Sequence, residues 1–238
     1  AGTYNKLFYV SASGTSTDIT PVGFSAGNEH AAVNTAYGGS LFNTGFYGVT
    51  RPNTGVFQEA TTWSLDNWGE YLVGCTSDDG KLYEWQLDSA VKAAVIANAP
   101  VNNIGLVVTE ERFLFALGAG GNPRKVQWCD KENNTSWTPA ATNEAGDIEL
   151  QTSGQIMAAI RVRGRTLIVT DTDAHLATYQ GPPFVFGFER VGTATGLIAR
   201  KAIAAVDEGA FWLGAKAFYV FDGSAAKELK CEVSDYVF

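Results

Sequence analysis

The chain has 238 residues, 45% of them hydrophobic, which is enough to bury a sizeable core. Its net charge of −8 argues against a protein that grips nucleic acid through the phosphates, because such proteins carry clustered lysine and arginine. No apolar run approaches the ~20 residues that cross a bilayer, and no signal peptide is evident. The sequence starts without methionine and ends on strand-like residues, so we expect a segment of a longer chain.

The N-terminal region predicts two strands, at residues 4–10 and 18–22, joined by a polar loop. Residues 61–65 predict the next strand, and a turn at residues 78–80 follows the strand at 70–75. The alanine-rich residues 88–97 are as compatible with a short helix as with a strand or a surface connection.

Residues 27–53 are rich in glycine, asparagine, threonine and aromatic residues, and they fit neither a strand nor a helix period. We therefore predict a long inserted loop. Its aromatic side chains are too apolar for a free linker, so we expect either packing on the same domain or contact with another subunit. We take the subunit contact as the hypothesis for Tyr37, Phe42, Phe46 and Tyr47.

Further along, residues 102–117 predict two strands, residues 118–123 a turn, and residues 148–150 the start of another unit. That unit is best seen in residues 163–192. There, the strand 166–170 is followed by turn residues and by the strand 176–179. A Gly-Pro-Pro sequence then ends the second strand, because proline has no amide hydrogen to donate to a neighbouring strand. The pattern is that of an antiparallel meander.

The same pattern recurs along the chain. An apolar strand that we take as the inner strand of each unit appears at residues 70–75, 112–117 and 209–213, and the last unit runs over 198–229 with a turn at 222–223. The strand that follows ends each time on an aromatic residue, at a spacing of 40 to 51 positions: Trp85, Trp128, Tyr179 and Tyr219. A period of about 40–50 residues is typical of propeller blades. We therefore predict an all-β fold, either a β-propeller or a propeller-like array of antiparallel meander blades, as a single domain over residues 1–238. The four aromatic residues should occupy equivalent places on successive blades.

Several patterns suggest chemistry, and each has a simpler explanation. Residues 118–125 look like a phosphate loop, but a strand rather than a helix follows them, which favours a hairpin turn. Asp171 and Asp173 have calcium-like spacing but lack the other oxygen ligands, which favours turn residues. His30 and His175 have no serine or cysteine motif nearby.

Arg161, Arg163 and Arg165 alternate, so on a continuous strand they would face one way. Sialidase-type propellers bind a substrate carboxylate with such a cluster, although Gly164 is expected to interrupt the strand here. Three cysteines without a C-x-x-C pair predict free thiols rather than a disulfide framework or a zinc site: Cys75, Cys129 and Cys231. We predict no catalytic residue, cofactor or metal.

Short motifs spread over nearly the whole chain resemble the tail nozzle proteins of short-tailed bacteriophages, also described as tail-tube or packaged-DNA stabilisation proteins. The motifs are residues 18–21 (DITP), 66–70 (DNWGE), 111–118 (ERFLFALG), 126–130 (VQWCD), 137–139 (WTP), 181–188 (GPPFVFGF) and 222–223 (DG). The resemblance implies a β-propeller subunit, six copies in a ring, joined to a tail adaptor, with tail fibres as a further candidate partner. It also implies a place in the virion after assembly in the host cytoplasm, and transient passage of DNA without tight binding.

The sequence thus leaves two hypotheses. In the first, the chain is a structural virion protein around the DNA exit channel, which retains the packaged genome and guides its ejection. In the second, it is a carbohydrate-binding or glycoside-hydrolysing propeller used in host recognition.

Overall fold

A computed structural model describes residues 6–24, 32–33, 57–58, 60–232, 236 and 238. Most strands in these ranges join into four successive four-stranded antiparallel sheets. We call them the first to fourth blades, and each has its strands in simple order from one edge to the other. Two further pairs of strands form two-stranded sheets. No helix in the described ranges is long and apolar enough to span a membrane.

The N-terminal sheet and the short pair after it consist of β1 (Phe8–Val10), β2 (Ser16–Asp18), β3 (Ala32–Val33) and β4 (Phe57–Gln58). The first blade consists of β5 (Trp63–Trp68), β6 (Tyr71–Thr76), β7 (Leu82–Trp85) and β8 (Ala94–Val95). The second consists of β9 (Gly105–Val108), β10 (Leu114–Leu117), β11 (Lys125–Trp128) and β12 (Gly146–Glu149). The third consists of β13 (Ile156–Val162), β14 (Arg165–Thr170), β15 (Asp173–Gly181) and β16 (Val185–Thr193). The fourth consists of β17 (Ile203–Val206), β18 (Gly209–Leu213), β19 (Phe218–Phe221) and β20 (Ala226–Leu229).

The first strands of the four blades line a common central cavity, and neighbouring first strands contact one another. Blades of four antiparallel strands arranged in this way make the fold β-propeller-like, which confirms the predicted all-β class. Each blade packs face to face on the next, and the N-terminal sheet packs on the free face of the first blade.

Strand β10 shows why these residues form the middle of a blade. Successive strand side chains point to opposite faces. Leu114 and Ala116 accordingly pack toward the first blade, whereas Phe115 and Leu117 pack toward the third. All four side chains are at most 2% exposed. A run of apolar residues without polar alternation is therefore what a strand between two blades requires.

The structure corrects the predicted position of these apolar strands. The strands taken as innermost are β6, β10, β14 and β18, each the second strand of its blade. The true first strands are β5, β9, β13 and β17, and residues 156–162 were not predicted as a strand. Residues 148–150 do not start the third blade either. Ile148 and Glu149 lie in β12, the last strand of the second blade, where they pair with β11.

The four repeated aromatic residues all lie on the third strand of a blade, as the repeat predicts. Their positions on that strand are not equivalent. Trp85 pairs with Leu72 at the end of β7 that is far from the β6–β7 hairpin turn. Tyr219 pairs with Trp212 close to the β18–β19 hairpin turn. The repeat therefore gives the strand but not the register, because an aromatic side chain can fill the space between blades from more than one position.

The remaining local predictions have mixed outcomes. Residues 88–97 contain the short strand β8 and no helix, and the Trp85 indole donates to the carbonyls of Asp88 (3.1 Å) and Val91 (2.9 Å) there.

The predicted loop at 27–53 includes strand β3, which pairs with β4. The rest of that segment lies outside the described residues.

All three cysteines are free, as predicted. Cys75 and Cys129 are buried, and Cys231 is partly exposed. Burial raises the pKa of both buried thiols to about 12. The Cys129 sulfur also accepts from the Leu114 amide and donates to the Asp130 carbonyl, both at 3.1 Å.

We therefore expect one fast-reacting thiol in the native protein and three after denaturation. The thiolate is the reactive form, and the raised pKa values leave almost none of it on Cys75 and Cys129 near pH 8. Titration with a chromogenic disulfide reagent, with and without denaturant, measures both counts. A Cys231→Ser variant that retains fast native labelling would contradict the assignment.

Candidate functional site in the central cavity

The central cavity has a volume of about 410 Å³ and is lined by all four first strands. Its walls combine aliphatic residues, such as Leu106, Met157, Ile160 and Ile203, with polar and charged groups that contribute at least as much of the surface. Small residues recur where the first strands approach one another, namely Ser64, Gly105, Ala158, Ala159 and Ala205. Bulkier side chains at those positions would fill the space, so the composition of the first strands keeps the cavity open.

Side chains from the first blade cover the open edge of the second. The Ser64 hydroxyl donates to the Leu106 carbonyl (3.0 Å), and Asp66 Oδ2 accepts from the Val108 amide (2.9 Å). Strand β9 is an edge strand, whose outward backbone groups have no partner strand. These two side chains therefore provide the hydrogen bonds that a further strand would otherwise provide.

Asp66 also connects the first blade to the third. Its Oδ1 accepts from Arg161 Nη2 at 2.8 Å and from the Asn67 amide at 2.8 Å. The Asp66 side chain is 14% exposed, whereas that of Arg161 is 47% exposed. The Asp66 carboxylate thus accepts hydrogen bonds from one group in each of the first three blades: the Asn67 amide, the Val108 amide and the Arg161 guanidinium. Asp66 and Arg161 are 95 positions apart in the sequence.

Lys201 lies at the start of the fourth blade, just before β17. Its ammonium donates to the Trp63 carbonyl at the beginning of β5, with an N–O distance of 2.6 Å. The contact ties the fourth blade to the first. Burial lowers the pKa of Lys201. Arg200 lines the same cavity.

The arginines at 161, 163 and 165 do not form a cluster. Arg163 and Gly164 make the turn between β13 and β14, with φ of 49° and 71°. Arg163 donates to the Asp222 carbonyl (3.0 Å) and Arg165 to the Gly223 carbonyl (2.6 Å). These two therefore hold the β19–β20 turn of the fourth blade, and only Arg161 reaches the cavity. The predicted interruption at Gly164 is the reason that the sialidase-like arrangement does not form.

The phosphate-loop alternative can also be set aside. Residues 118–123 form the connection between β10 and β11, with a single 3-10 turn at Ala119–Gly121 and positive φ at three glycines. No α-helix follows, so no amide groups are aligned toward a phosphate. The interpretation as a hairpin turn is correct.

Asp173 and His175 lie in a buried polar cluster that sequence reasoning missed. Asp173 Oδ1 accepts from Thr152 (2.8 Å) and Thr170 (2.6 Å), and His175 Nε2 lies 3.1 Å from it. Asp171 instead accepts from the Gln155 amide (2.9 Å), so the two aspartates do not face one ligand. In the described ranges, no three His, Cys, Asp or Glu side chains are grouped as for a metal ion.

We expect Asp173→Asn to destabilise the protein by about 2 kcal/mol at neutral pH, because the buried hydroxyl groups lose a charged acceptor. Burial alone would raise the pKa of Asp173, but the bonds from Thr170 and Thr152 lower it overall. A lowered folded-state pKa gives stability that is present above the unfolded value, about 3.9, and is lost as the pH falls through the folded value.

The difference in unfolding free energy between the wild type and Asp173→Asn should therefore be present at pH 7 to 8 and should shrink as the pH falls below about 4. Urea denaturation at several pH values measures it. Asp171→Asn is the matched control and should show little change. A difference that does not shrink below about pH 4 would refute the assignment.

The side chains predicted to contact another subunit, Tyr37, Phe42, Phe46 and Tyr47, lie outside the described residues, as does His30. The structure therefore neither supports nor opposes that prediction. Of the cavity residues that the structure brings together, the sequence singles out only Arg161, and only as a member of the arginine series. Asp66 and Lys201 are not predicted, because the three residues are far apart in the sequence.

Comparison with solved structures identifies the fold only. A protein from Lactobacillus plantarum is 11% identical and superposes with a TM-score of 0.53, covering 94% of this chain and 63% of that one. Dihydro-heme d1 dehydrogenase NirN in complex with DHE is 13% identical, with a TM-score of 0.47, covering 74% and 39% of the two chains. Virginiamycin B lyase of Staphylococcus aureus with quinupristin is 8% identical, with a TM-score of 0.45, covering 72% and 60%.

The chain thus spans between 39% and 63% of the lengths of these proteins. No protein-family model matches it, and no curated protein matches it.

Proposed function

We propose that this chain is a non-catalytic structural subunit of a bacteriophage tail nozzle, assembled as a ring of six copies around the exit path of the DNA and joined to a tail adaptor. The observation that carries the proposal is the ordered series of motifs that resemble nozzle proteins. These motifs fall on the N-terminal sheet and on all four blades, at β2, β5, β10, β11, the β15–β16 hairpin and the β19–β20 turn.

Many of these motif residues have packing roles. Phe113 and Phe115 are fully buried between the second and third blades. Phe186 packs in the same cluster and is 7% exposed. The ring of Phe186 lies edge-on to Phe115, with centroids 4.8 Å apart. The resemblance therefore extends over the framework of the propeller rather than a single loop, which supports a similar architecture.

The size of the cavity supports a path for DNA outside each propeller. A volume of about 410 Å³ is that of a small-molecule pocket, and the Arg161–Asp66 ion pair spans it. A duplex whose major groove alone is ~12 Å wide does not fit. In the proposed ring, DNA therefore passes through the opening that the six subunits surround. It does not pass through the cavity of any one subunit.

The net charge suits such a path. A subunit with a net charge of −8 repels the phosphates, so that little counterion release favours binding. Fewer phosphate contacts mean a lower barrier to sliding. An acidic subunit would thus surround DNA without holding it.

Native mass spectrometry of the purified chain, with and without the tail adaptor, tests the proposal. Six copies of a 25.4 kDa chain give about 152 kDa. We expect this ring mass, and we expect duplex DNA affinity no tighter than high micromolar near physiological salt. A monomer in both mixtures, together with saturable binding on a glycan array, would favour the host-recognition alternative instead.

A further inference from the structure

A cleft separate from the central cavity lies between the third and fourth blades, at the end of the propeller that carries the β14–β15 and β18–β19 turns. Its volume is about 510 Å³, which lies within the range of small-molecule sites. The third blade contributes Asp171, Asp173 and Arg190 to its lining, and the fourth contributes Lys216 and Tyr219. None of these five residues lines the central cavity.

Asp173 is the most deeply buried charged group of the cleft, with a side chain only 8% exposed. Its Oδ1 accepts from the Thr152 and Thr170 hydroxyls, whereas its Oδ2 accepts no hydrogen bond from any described residue. Oδ2 is not one of the fully enclosed polar atoms of the described ranges, so it reaches the open space of the cleft. Buried polar atoms normally have a hydrogen-bond partner, and here a ligand can supply it.

The charge of Asp173 indicates which kind of group it would bind. Burial raises its pKa, but the hydrogen bonds from Thr170 and Thr152 lower it overall, so the side chain is ionised at neutral pH. An ionised carboxylate accepts hydrogen bonds and donates none. The matching group on a ligand therefore carries an O–H or an N–H donor.

The other charged groups of the cleft favour an O–H donor. Arg190 and Lys216 are exposed cations, and Asp171 is an exposed carboxylate whose Oδ1 is already bonded to the Gln155 amide. The lining thus carries two positive and two negative groups. An ammonium ligand bonded to Asp173 would share the cleft with two cations, whereas a neutral ligand would not be repelled. Hydroxyl groups can also accept the hydrogen bonds that Arg190 and Lys216 donate.

Tyr219 gives the cleft an aromatic surface. Its ring stacks on that of Trp212, with centroids 5.9 Å apart and planes inclined by 29°, and its hydroxyl donates to the Ala194 carbonyl at 3.1 Å. These contacts hold the half-buried ring in one orientation. An aromatic ring presents an apolar face to the C–H groups of a ligand. A sugar ring has such C–H groups together with hydroxyls, so it matches both the ring and the charged groups.

We propose that this cleft binds a neutral saccharide. Sugar hydroxyls donate to Asp173 Oδ2 and accept from Arg190 and Lys216, and the C–H face of the sugar lies against the Tyr219 ring. The site goes beyond the nozzle function and does not rest on it, since the cleft lies within one subunit. A chain that forms the ring and binds no saccharide would overturn only this site, and the reverse result would overturn only the ring.

A glycan array probed with the native chain tests the class of ligand. The array carries neutral hexose and N-acetylhexosamine oligosaccharides beside sialylated ones. We expect saturable binding to neutral oligosaccharides and weaker binding to sialylated ones, because an acidic sugar would lie close to Asp173. Calorimetric titration with the free neutral oligosaccharide that binds best then gives its Kd. L-Serine is the comparison, because its ammonium and carboxylate could also meet Asp173 and the two cations.

Substitutions in the cleft locate the bound oligosaccharide. Asp173→Asn should weaken binding about tenfold or more, because a hydrogen bond to a charged group is lost, and Lys216→Met should weaken it about threefold. Lys230→Met is the matched control, because Lys230 is exposed and lies outside the cleft. Circular dichroism checks that each variant is folded, and Lys216→Met provides the test if Asp173→Asn does not fold.

Three results would each overturn the proposal. The first is the absence of saturable binding to any neutral oligosaccharide on the array. The second is binding of sialylated glycans or of L-serine that equals or exceeds binding of the neutral oligosaccharides. The third is an unchanged Kd in both cleft variants, which would place the saccharide elsewhere on the protein.

Discussion

Phe115→Ala should destabilise the protein by about 3–5 kcal/mol, the largest effect that we expect from a single substitution. The side chain is fully buried between the second and third blades, and its ring lies 4.8 Å from that of Phe186 and 5.9 Å from that of Trp128. Truncation removes the buried ring and leaves a cavity, because the neighbouring rings are held by their own strands and cannot move fully into the space.

Guanidinium chloride denaturation monitored by tryptophan fluorescence measures this loss. Phe184→Ala is the matched control. Phe184 is 77% exposed, so its truncation should change the free energy of unfolding by less than about 0.5 kcal/mol. A Phe115→Ala variant within about 1 kcal/mol of the wild type would show that the second and third blades are not packed as described.

Asp66→Ala should cost about 3 kcal/mol, because it leaves the Val108 amide and the Arg161 guanidinium without their acceptor. Asp66→Asn should cost less, since the amide oxygen can still accept one bond. Asp147→Ala is the control. Asp147 makes a surface ion pair with Lys125 at 3.1 Å, and such pairs contribute less than about 1 kcal/mol.

A double-mutant cycle with Arg161→Met separates the two contributions of Asp66. The ion pair should account for the smaller part, because Arg161 is 47% exposed and is solvated when unpaired. The backbone hydrogen bond to β9 should account for the larger part. Equal effects of Asp66→Ala and Asp147→Ala would mean that Asp66 does not join the first two blades.

The sequence predicts the blades well where a strand is apolar on both faces. Residues 112–117 and 166–170 are recognisable because each lies between two neighbouring blades and has a continuous apolar run at its centre. Their place within the blade is not predictable in the same way. The first strands that line the cavity, such as β13 and β17, contain alanines and partly exposed positions, so they show neither strong β-propensity nor a period of two.

The assignment of residues 148–150 to the wrong blade has a related cause. The last strand of one blade and the first strand of the next are close in sequence, and their hydrophobicity does not show which sheet each joins. Cavity residues were unpredictable for a different reason. Asp66 and Arg161 are ordinary surface-type residues in the sequence, and only the closing of blades around an axis brings them together.

The contact between Lys201 and Trp63 also bears on how the chain folds and unfolds. Blades that touch only their neighbours would behave as a one-dimensional row, in which either end can open separately. The Lys201–Trp63 hydrogen bond joins residues 138 positions apart, from the last blade to the first. Closing so large a loop lowers the chain entropy, so we expect this contact to form late in folding, after the intervening blades are in place. We therefore expect opening of the fourth blade to be coupled to opening of the first, and the amides of both blades to share part of their protection against hydrogen exchange.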